Sequence, residues 1–454
     1  VTLTGVVSAA EMTIDRQSHV ANNDDHVQVT HDLAAIGGGI GSRAADQATV
    51  GGGYHNQATG FRSTIGGGAN NMATNGSTTI SGGDRNTASF SYATIGGGIV
   101  NTASALNATV GGGSGNVASG SRSIVGGGTR NTASGLEATV GGGTRNMASG
   151  AYATVGGGLE NIASGRRAAV SGGAGNITRG EDATIGGGLS NRAADRYSTV
   201  SGGRGNLAGN LNDNVEDARY ATVAGGQDNR AVNLGSTVSG GVANEAGGRF
   251  ATVPGGNANE AAGNFSFAAG YRAKIDANHN GAFLNADSRD FDFNSVAANE
   301  FAVRATGGIR LVTAIDSSGA PSAGVRLAEG SGSWQALSTC TAKAGIISVN
   351  QREILARLLT VPISTWSYES QTSSIRHIGP MAEDFSQAFG LGEDERYINM
   401  VDADGVALAA IQGLHQLVQE QADQITRQQL QITELQTRLL ALENAIQAQN
   451  SCAP

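Results

Sequence analysis

Apolar and polar positions along residues 34–270 repeat with a fifteen-residue period. The unit reads A-T-V-G-G-G-x-x-N-x-A-S-G-x-x. Its aliphatic residue falls at Ile36, Val50, Ile65, Ile80, Ile95, Val110, Val125, Val140, Val155, Val170, Ile185, Val200, Val223, Val238 and Val253, with Ala268 in a last degenerate copy. The steps are 15 residues except for 14 at the first and 23 between Val200 and Val223, so sixteen turns and one eight-residue insertion are expected. Each unit holds two short alternating segments. Ala108 and Val110 point one way and Thr109 the other; Asn116 and Ala118 point together and Val117 opposite. The triple glycine between the segments supplies backbone conformations that a side chain forbids. The pattern predicts strand, tight glycine turn, strand and looser turn, stacked in parallel ladders about 4.8 Å apart into a rod on the order of 75 Å long.

The inward set of one turn is thin: one Val or Ile, two small residues and one Asn. Burying a Val contributes about 1.5–3 kcal/mol, against roughly 1–2 kcal/mol for each residue ordered. A single turn therefore needs neighbours above and below, and partners alongside. The Asn recurs at Asn56, Asn71, Asn86, Asn101, Asn116, Asn131, Asn146, Asn161, Asn176, Asn191, Asn206, Asn229, Asn244 and Asn259, which predicts a stacked ladder whose amides are satisfied from turn to turn. Composition agrees with a thin core. Gly supplies 70 of 454 residues, aromatics 5% and charged residues 15%, so bulky side chains for a wide core are scarce. Strict periodicity separates this chain from disordered Gly-rich sequences. The insertion, residues 210–220, brings Asp213, Glu216 and Asp217 and is expected to protrude as a loop on one face.

The repeat resembles the head of YadA-like trimeric autotransporter adhesins, over residues 34–270. That resemblance implies a left-handed parallel β-roll, three of which pack about one axis. The family commonly has 14 residues per turn where 15 dominate here. Residues 1–33 then read as an N-terminal cap or attachment segment, and residues 271–337 as a neck closing the last turn. Asp287, Asp290 and Asp292 in the neck, and His19, His26 and His31 near the start, are read as turn and surface residues rather than as a metal site; no metal or other cofactor is expected.

Beyond residue 338 the sequence changes register. Ile354-Leu355-Ala356-Arg357-Leu358 predicts an amphipathic helix and Pro362-Ile363-Ser364-Thr365-Trp366-Ser367-Tyr368 a strand. Residues 375–385 predict strand, turn and helix start, and Val401-Asp402-Ala403-Asp404-Gly405-Val406 leads into a long helix. This order of words resembles the C-terminal intramolecular chaperone of endosialidase-type phage tailspikes and related fibres. In that family the module assembles three chains and then cuts itself off, using a Ser at the new N-terminus and a Lys five residues later. Ser338 and Lys343 fall at those positions. The resemblance implies that Ser338 attacks the carbonyl of Leu337, with Lys343 a base kept neutral by burial. Thr339 stands where the family has Asp, and Ala344-Gly345-Ile346 where it has charged residues, so an active dyad and an inactive remnant are both open.

Residues 411–454 predict a coiled coil and tail after the chaperone-like module of residues 338–410. Positions a are Ile411, Val418, Ile425, Ile432, Leu439 and Ile446; positions d are Leu414, Gln421, Gln428, Leu435 and Leu442. β-Branched residues at a with Leu at d lean toward dimers, and the two Gln at d set register. A homotrimer follows from the two resemblances rather than from the heptads. Cys452, just past the coil, is expected to link chains, while two cysteines in all exclude a disulfide framework.

A net charge of −9 without a basic stretch argues against nucleic acid as a partner. No apolar run approaches the roughly 20 residues that span a bilayer, so membrane insertion is not expected. The expected function is a structural and adhesive trimeric fibre on a cell surface or virion, outside the cell. Its partners would be its own copies and a host-cell or matrix receptor such as a glycan. A polysaccharide-degrading tailspike would need a carboxylate pair in a cleft. An ice-binding solenoid would use the outward rank of Thr49, Thr64, Thr94, Thr109, Thr139 and Thr154. At most one self-cleavage before Ser338 is expected of it as an enzyme.

Overall fold

Each fifteen-residue unit closes one turn of a parallel β-solenoid, seen here in a computed structural model that describes residues 19–20, 28–29, 33–212 and 214–450. The turn beginning at Ala108 shows the construction. Thr109–Val110 pairs in parallel with Ile124–Val125, and Val117–Ala118 with Thr132–Ala133. A third ladder of single-residue bridges runs from Ile40↔Tyr54 to Asn257↔Tyr271. Ala108, Val110, Asn116 and Ala118 are fully buried, whereas Thr109 and Val117 face outward and are half-buried.

Among the described residues, one ladder has nineteen strands and the other eighteen, about eighteen turns rather than sixteen. His19–Val20 pairs with Ala35–Ile36 before the first recognisable repeat. At the other end Phe267–Gly270 pairs with Phe283–Ala286, which pairs with Phe301–Arg304. These last strands have four residues instead of two, and their turns are longer, so the fifteen-residue pattern fails while strand pairing continues. Phe267, Phe283 and Phe301 stack on the outside, with ring centroids 4.5 and 4.9 Å apart.

The buried asparagines bond chiefly to backbone. From Asn71 to Asn259 each backbone N–H donates to the Oδ1 of the asparagine one turn back, as Asn131 does to Asn116 at 2.9 Å. The Nδ2 of Asn131 donates to the carbonyls of Gly127 (2.9 Å) and Gly143 (2.8 Å). Direct amide-to-amide contacts add to this at Asn71, Asn176, Asn244 and Asn259. The third glycine of each triplet makes room for this arrangement. Gly128 has φ +88°, and a Cβ there would meet the Gly143 carbonyl and crowd Asn131 Nδ2; a Cβ on the middle glycine, Gly127, would meet nothing.

The looser turn places a non-glycine residue in the left-handed region, for example Asn107 (φ 56°), Arg122 (φ 58°) and Tyr152 (φ 61°). Such a conformation is uncommon for L-residues, and here the backbone N–H is held by the previous turn: Arg122 N donates to Leu106 O at 2.7 Å. The side chains project into solvent and meet their counterparts one turn on, as in Arg122–Glu137 and Arg167–Asp182 (2.6 Å). These pairs are exposed and contribute little to stability.

The end of this first unit, Val1–Thr306, is riveted by Arg304. Its Nε donates to Asp287 Oδ1 at 2.8 Å, and its other nitrogens reach the carbonyls of Phe291 (2.6 Å), Arg289 (3.0 Å) and Tyr271 (3.2 Å). Arg272 takes Asp292 (2.7 Å) and Asp290 (3.0 Å). All three neck aspartates are thus engaged by arginine. The Thr306 backbone N–H, ahead of Arg304, holds the Asp287 carboxyl far below the ordinary carboxylate range.

The second unit, Gly307–Pro454, opens with an antiparallel sheet of Ile309–Ile315, Pro321–Leu327 and Trp334–Ala336. Helix α1 (Gln351–Leu358) is capped by Asn350, whose Oδ1 accepts from Arg352 N at 3.0 Å. Ser364–Trp366 pairs with His377–Gly379, and α2 (Ala382–Phe389) follows. Helix α3 (Met400–Asn450) starts eleven residues before the first heptad position, Ile411. Its first turns bury Val406, Ala410 and Gly413, and Gly413 lets it approach α1: a Cβ there would collide with the Gln351 carbonyl.

Two expectations follow for the roll. Gly127→Ala should leave urea stability within about 1 kcal/mol of wild type. Gly128→Ala, and Asn131→Ala with its orphaned carbonyls, should each cost on the order of 3 kcal/mol. Equal effects at the two glycines would contradict the packing described. The Asp287 prediction concerns pH. Its native value lies below the roughly 3.9 of an unfolded Asp, so its stabilising contribution is complete above that value and is lost as pH falls through the native one. In urea unfolding, Asp287→Asn should be less stable than wild type at neutral pH, with the difference shrinking steadily below about pH 4.

Candidate functional site

The chain leaves the strand Trp334–Ala336 through Leu337, whose N–H donates to Gly324 O at 3.0 Å and ties the segment to the sheet. Ser338 comes next, at the edge of the sheet. Thr339 is extended (φ −88°, ψ 150°), and Cys340–Ala342 then winds one 3₁₀ turn. Ala342 N bonds to Thr339 O (3.1 Å) and Lys343 N to Cys340 O (3.2 Å), which closes the turn. Three residues per turn brings the chain back on itself, so a side chain five residues on can reach the serine. Lys343 Nζ donates to Ser338 Oγ at 2.7 Å.

The Leu337–Ser338 peptide lies along a groove of about 480 Å³, lined by Leu311, Val312, Ala323 and Val325, with Arg310 and Arg326 among its polar residues. Leu337 is 41% exposed there. Within one chain Ser338 and Lys343 are both exposed, which corrects the expectation that burial surrounds the lysine. The reason is geometric: the 3₁₀ turn stands on the rim of a single three-stranded sheet, with no second layer over it. The Thr339 and Thr341 hydroxyls share a hydrogen bond at 3.2 Å. Chemically, the pair offers a hydroxyl nucleophile in line with an amine that can take its proton once that amine is neutral.

The heptad residues form a seam along α3 that no described residue of the chain covers. Ile411, Val418, Ile425, Ile432 and Ile446 are 47–63% exposed, and Leu414, Leu435, Leu439 and Leu442 are 49–62% exposed. Gln421 and Gln428 lie on the same exposed helix. The asparagines Asn56 to Asn259 are buried inside the roll, in the first unit. His26, His31 and Cys452 lie outside the described residues, and His19 is described only as part of a strand. Among the described residues no helix is long and apolar enough to cross a membrane.

One feature of the roll was not foreseen. Asp195 occupies the inward slot that glycine fills at Gly135, Gly150, Gly165 and Gly180, and it is buried beneath the insertion. The signal was available: a carboxylate at a position that glycine fills in each of the five turns before it, from Gly120 to Gly180. No protein-family model matches this chain, and no curated protein matches it significantly.

Proposed function

We propose that the chain is one subunit of a homotrimeric adhesive fibre, displayed on a cell surface or virion, whose C-terminal unit brings three copies together. The uncovered heptad seam of α3 carries this reading. Nine large aliphatic side chains in one helical register, all about half-exposed or more, need other helices against them. The roll is read as the left-handed head of an adhesin-like fibre, and its outward side chains as the surface that touches a host-cell or matrix receptor such as a glycan.

A roll of near-identical turns offers many nearly equal registers to a second roll, because slipping by one turn loses only an end contact. Helices that close first, with Gln421 and Gln428 setting their stagger, remove that degeneracy. The C-terminal unit then acts as an intramolecular chaperone like that of endosialidase-type tailspikes.

Self-cleavage is a separate step made by the Ser338–Lys343 pair. Ser338 Oγ attacks the Leu337 carbonyl carbon while Lys343 Nζ, as the free amine, takes the hydroxyl proton and passes it to the departing Ser338 nitrogen. An ester joins Leu337 to Ser338 Oγ, and Ser338 gains a free amino group. Water then hydrolyses the ester, releasing a Leu337 carboxylate and restoring the hydroxyl. The amine must be neutral for this, and association with other copies over the exposed dyad would supply the burial that one chain lacks.

Light scattering of the uncut Ser338→Ala chain at micromolar concentration should give three times the 45.6 kDa chain mass; a monomer or dimer refutes the proposal. Truncation after Leu337 should yield aggregated or misregistered rolls, and native trimers from that fragment would remove the chaperone role. For the dyad, wild type should split before Ser338, with Ser338→Ala and Lys343→Met assembling as uncut trimers. A wild-type chain that stays whole in the assembled trimer identifies the pair as an inactive remnant.

A further inference from the structure

The insertion and the buried aspartate beneath it belong to one arrangement. Residues 210–217 leave the roll between Gly209 and Ala218, and the ladders on either side stay in register: Val200 pairs with Val223 and Ala208 with Ala231. The loop folds back on its own turn, with Arg196 N donating to Val215 O at 3.0 Å. Under it, Asp195 is 1% exposed. Its Oδ2 accepts Asn210 N at 2.6 Å, in space that exists because residue 209 is glycine; a Cβ there would strike that oxygen. Its Oδ1 has no hydrogen-bond partner.

Within hydrogen-bonding reach of this carboxyl lies another, that of Asp217. Two carboxylates that face each other repel, and neither has a cationic partner among the described residues. The neighbouring guanidinium groups are committed elsewhere: Arg196 to Glu181 (3.1 Å) and Glu216 (3.4 Å), and Arg219 to Glu216 (3.3 Å). Burial, reinforced by the charge of Asp217, pushes the Asp195 carboxyl up, whereas the Asn212 and Asn210 amides hold Asp217 down. The remaining polar groups are amides. Asn210 and Asn212 donate to Asp217 at 2.6 and 2.8 Å, and Asn210, Asn212 and Asn214 each accept a backbone N–H two residues on.

We propose that Asp195 and Asp217, roofed by the asparagine loop, form a binding site for a hard divalent cation of the calcium class. A buried carboxylate oxygen without a donor is costly to leave unmatched, and an ion between the two carboxyls removes both that cost and their repulsion. Among the described residues no three His, Cys, Asp or Glu converge on one point. The donor set is therefore two carboxylates and water, completed by side-chain amide oxygens once the Asn210 and Asn212 amides, which present N–H groups to Asp217 here, turn over; its oxygen-only character excludes softer metals. Few charged ligands place the affinity with weak extracellular calcium modules, at dissociation constants of about 0.1–1 mM. The ion would fasten a protruding loop to the roll.

Terbium is the first probe on the full-length chain, since Tyr220 is three residues from Asp217 and stacks on Tyr197 with centroids 5.0 Å apart, so it can sensitise lanthanide emission. Saturable emission at one ion per chain, displaced by calcium and confirmed by calcium calorimetry, is the expected result. Asp195→Asn keeps the shape of the buried side chain and Asp217→Asn changes only the exposed loop, so folding is preserved in at least the second. Each should weaken binding by about tenfold or more. Absence of saturable emission and heat, or binding unchanged in both variants, overturns the proposal. So does a wild-type roll that ignores calcium but gains stability from about pH 7 to about pH 5 in an Asp195-dependent way, because a shared proton then fills the role.

Discussion

A buried asparagine, and the glycine that makes room for it, hold this fold together. A turn that buries one Val or Ile and two alanines gains little from apolar area, yet it must also pass two glycine carbonyls through its interior. The Asn131 side chain satisfies its own turn's Gly127 and the next turn's Gly143, and offers its oxygen to the next turn's Asn146. Removing any one member leaves buried backbone groups without partners, which costs more than the aliphatic contacts can offset. The constraint also explains where the chain tolerates change. Across the 23-residue step, Asn206 still reaches Gly226 and accepts from Asn229 N. The eight extra residues are confined to the loose turn, outside the asparagine ladder.

The same uniformity creates a problem that the roll cannot resolve. Identical rungs give strong local pairing and no landmark for aligning one copy against another. The second unit has the opposite character. Within one chain it buries few apolar side chains, among them Val361, Phe385, Val406 and Ala410, and leaves its longest helix bare along an apolar seam. That bare seam, in a unit following so repetitive a roll, is what the proposed role in assembly rests on. The Ser338–Lys343 contact lies in the same unit.

Much of this was legible in particular residues. The alternation of Ala108, Thr109 and Val110 gave the inward face because strand side chains alternate strictly. Recurrence of Asn at one slot gave its burial, though not its bonding: its partners are chiefly backbone groups of adjacent turns, which no side-chain pattern displays. The extra turns were hidden because strand pairing does not need a constant period: Ala268, Leu284 and Ala302 take the inward slot, and phenylalanines stack outside where threonine stood. Non-glycine residues in the left-handed region, such as Arg122 and Tyr152, were hidden for a similar reason: a hydrogen bond from a neighbouring turn offsets the local preference.

The site divides along the same line. The five-residue spacing of Ser338 and Lys343 is a property of the chain, but their meeting depends on the 3₁₀ turn at Cys340–Ala342, and their exposure on the absence of a covering layer in one copy. Asp195 is the sharper case. Its oddity, a carboxylate in a glycine slot, is visible in the sequence, while its significance arises from a second carboxyl twenty-two residues away that the insertion folds back over it. The sequence by itself determined the period, the inward residues and the heptad seam, because these follow from local alternation and repetition. Tertiary structure decided which buried oxygen lacks a partner and which side chains face one another, because those depend on where distant segments come to rest.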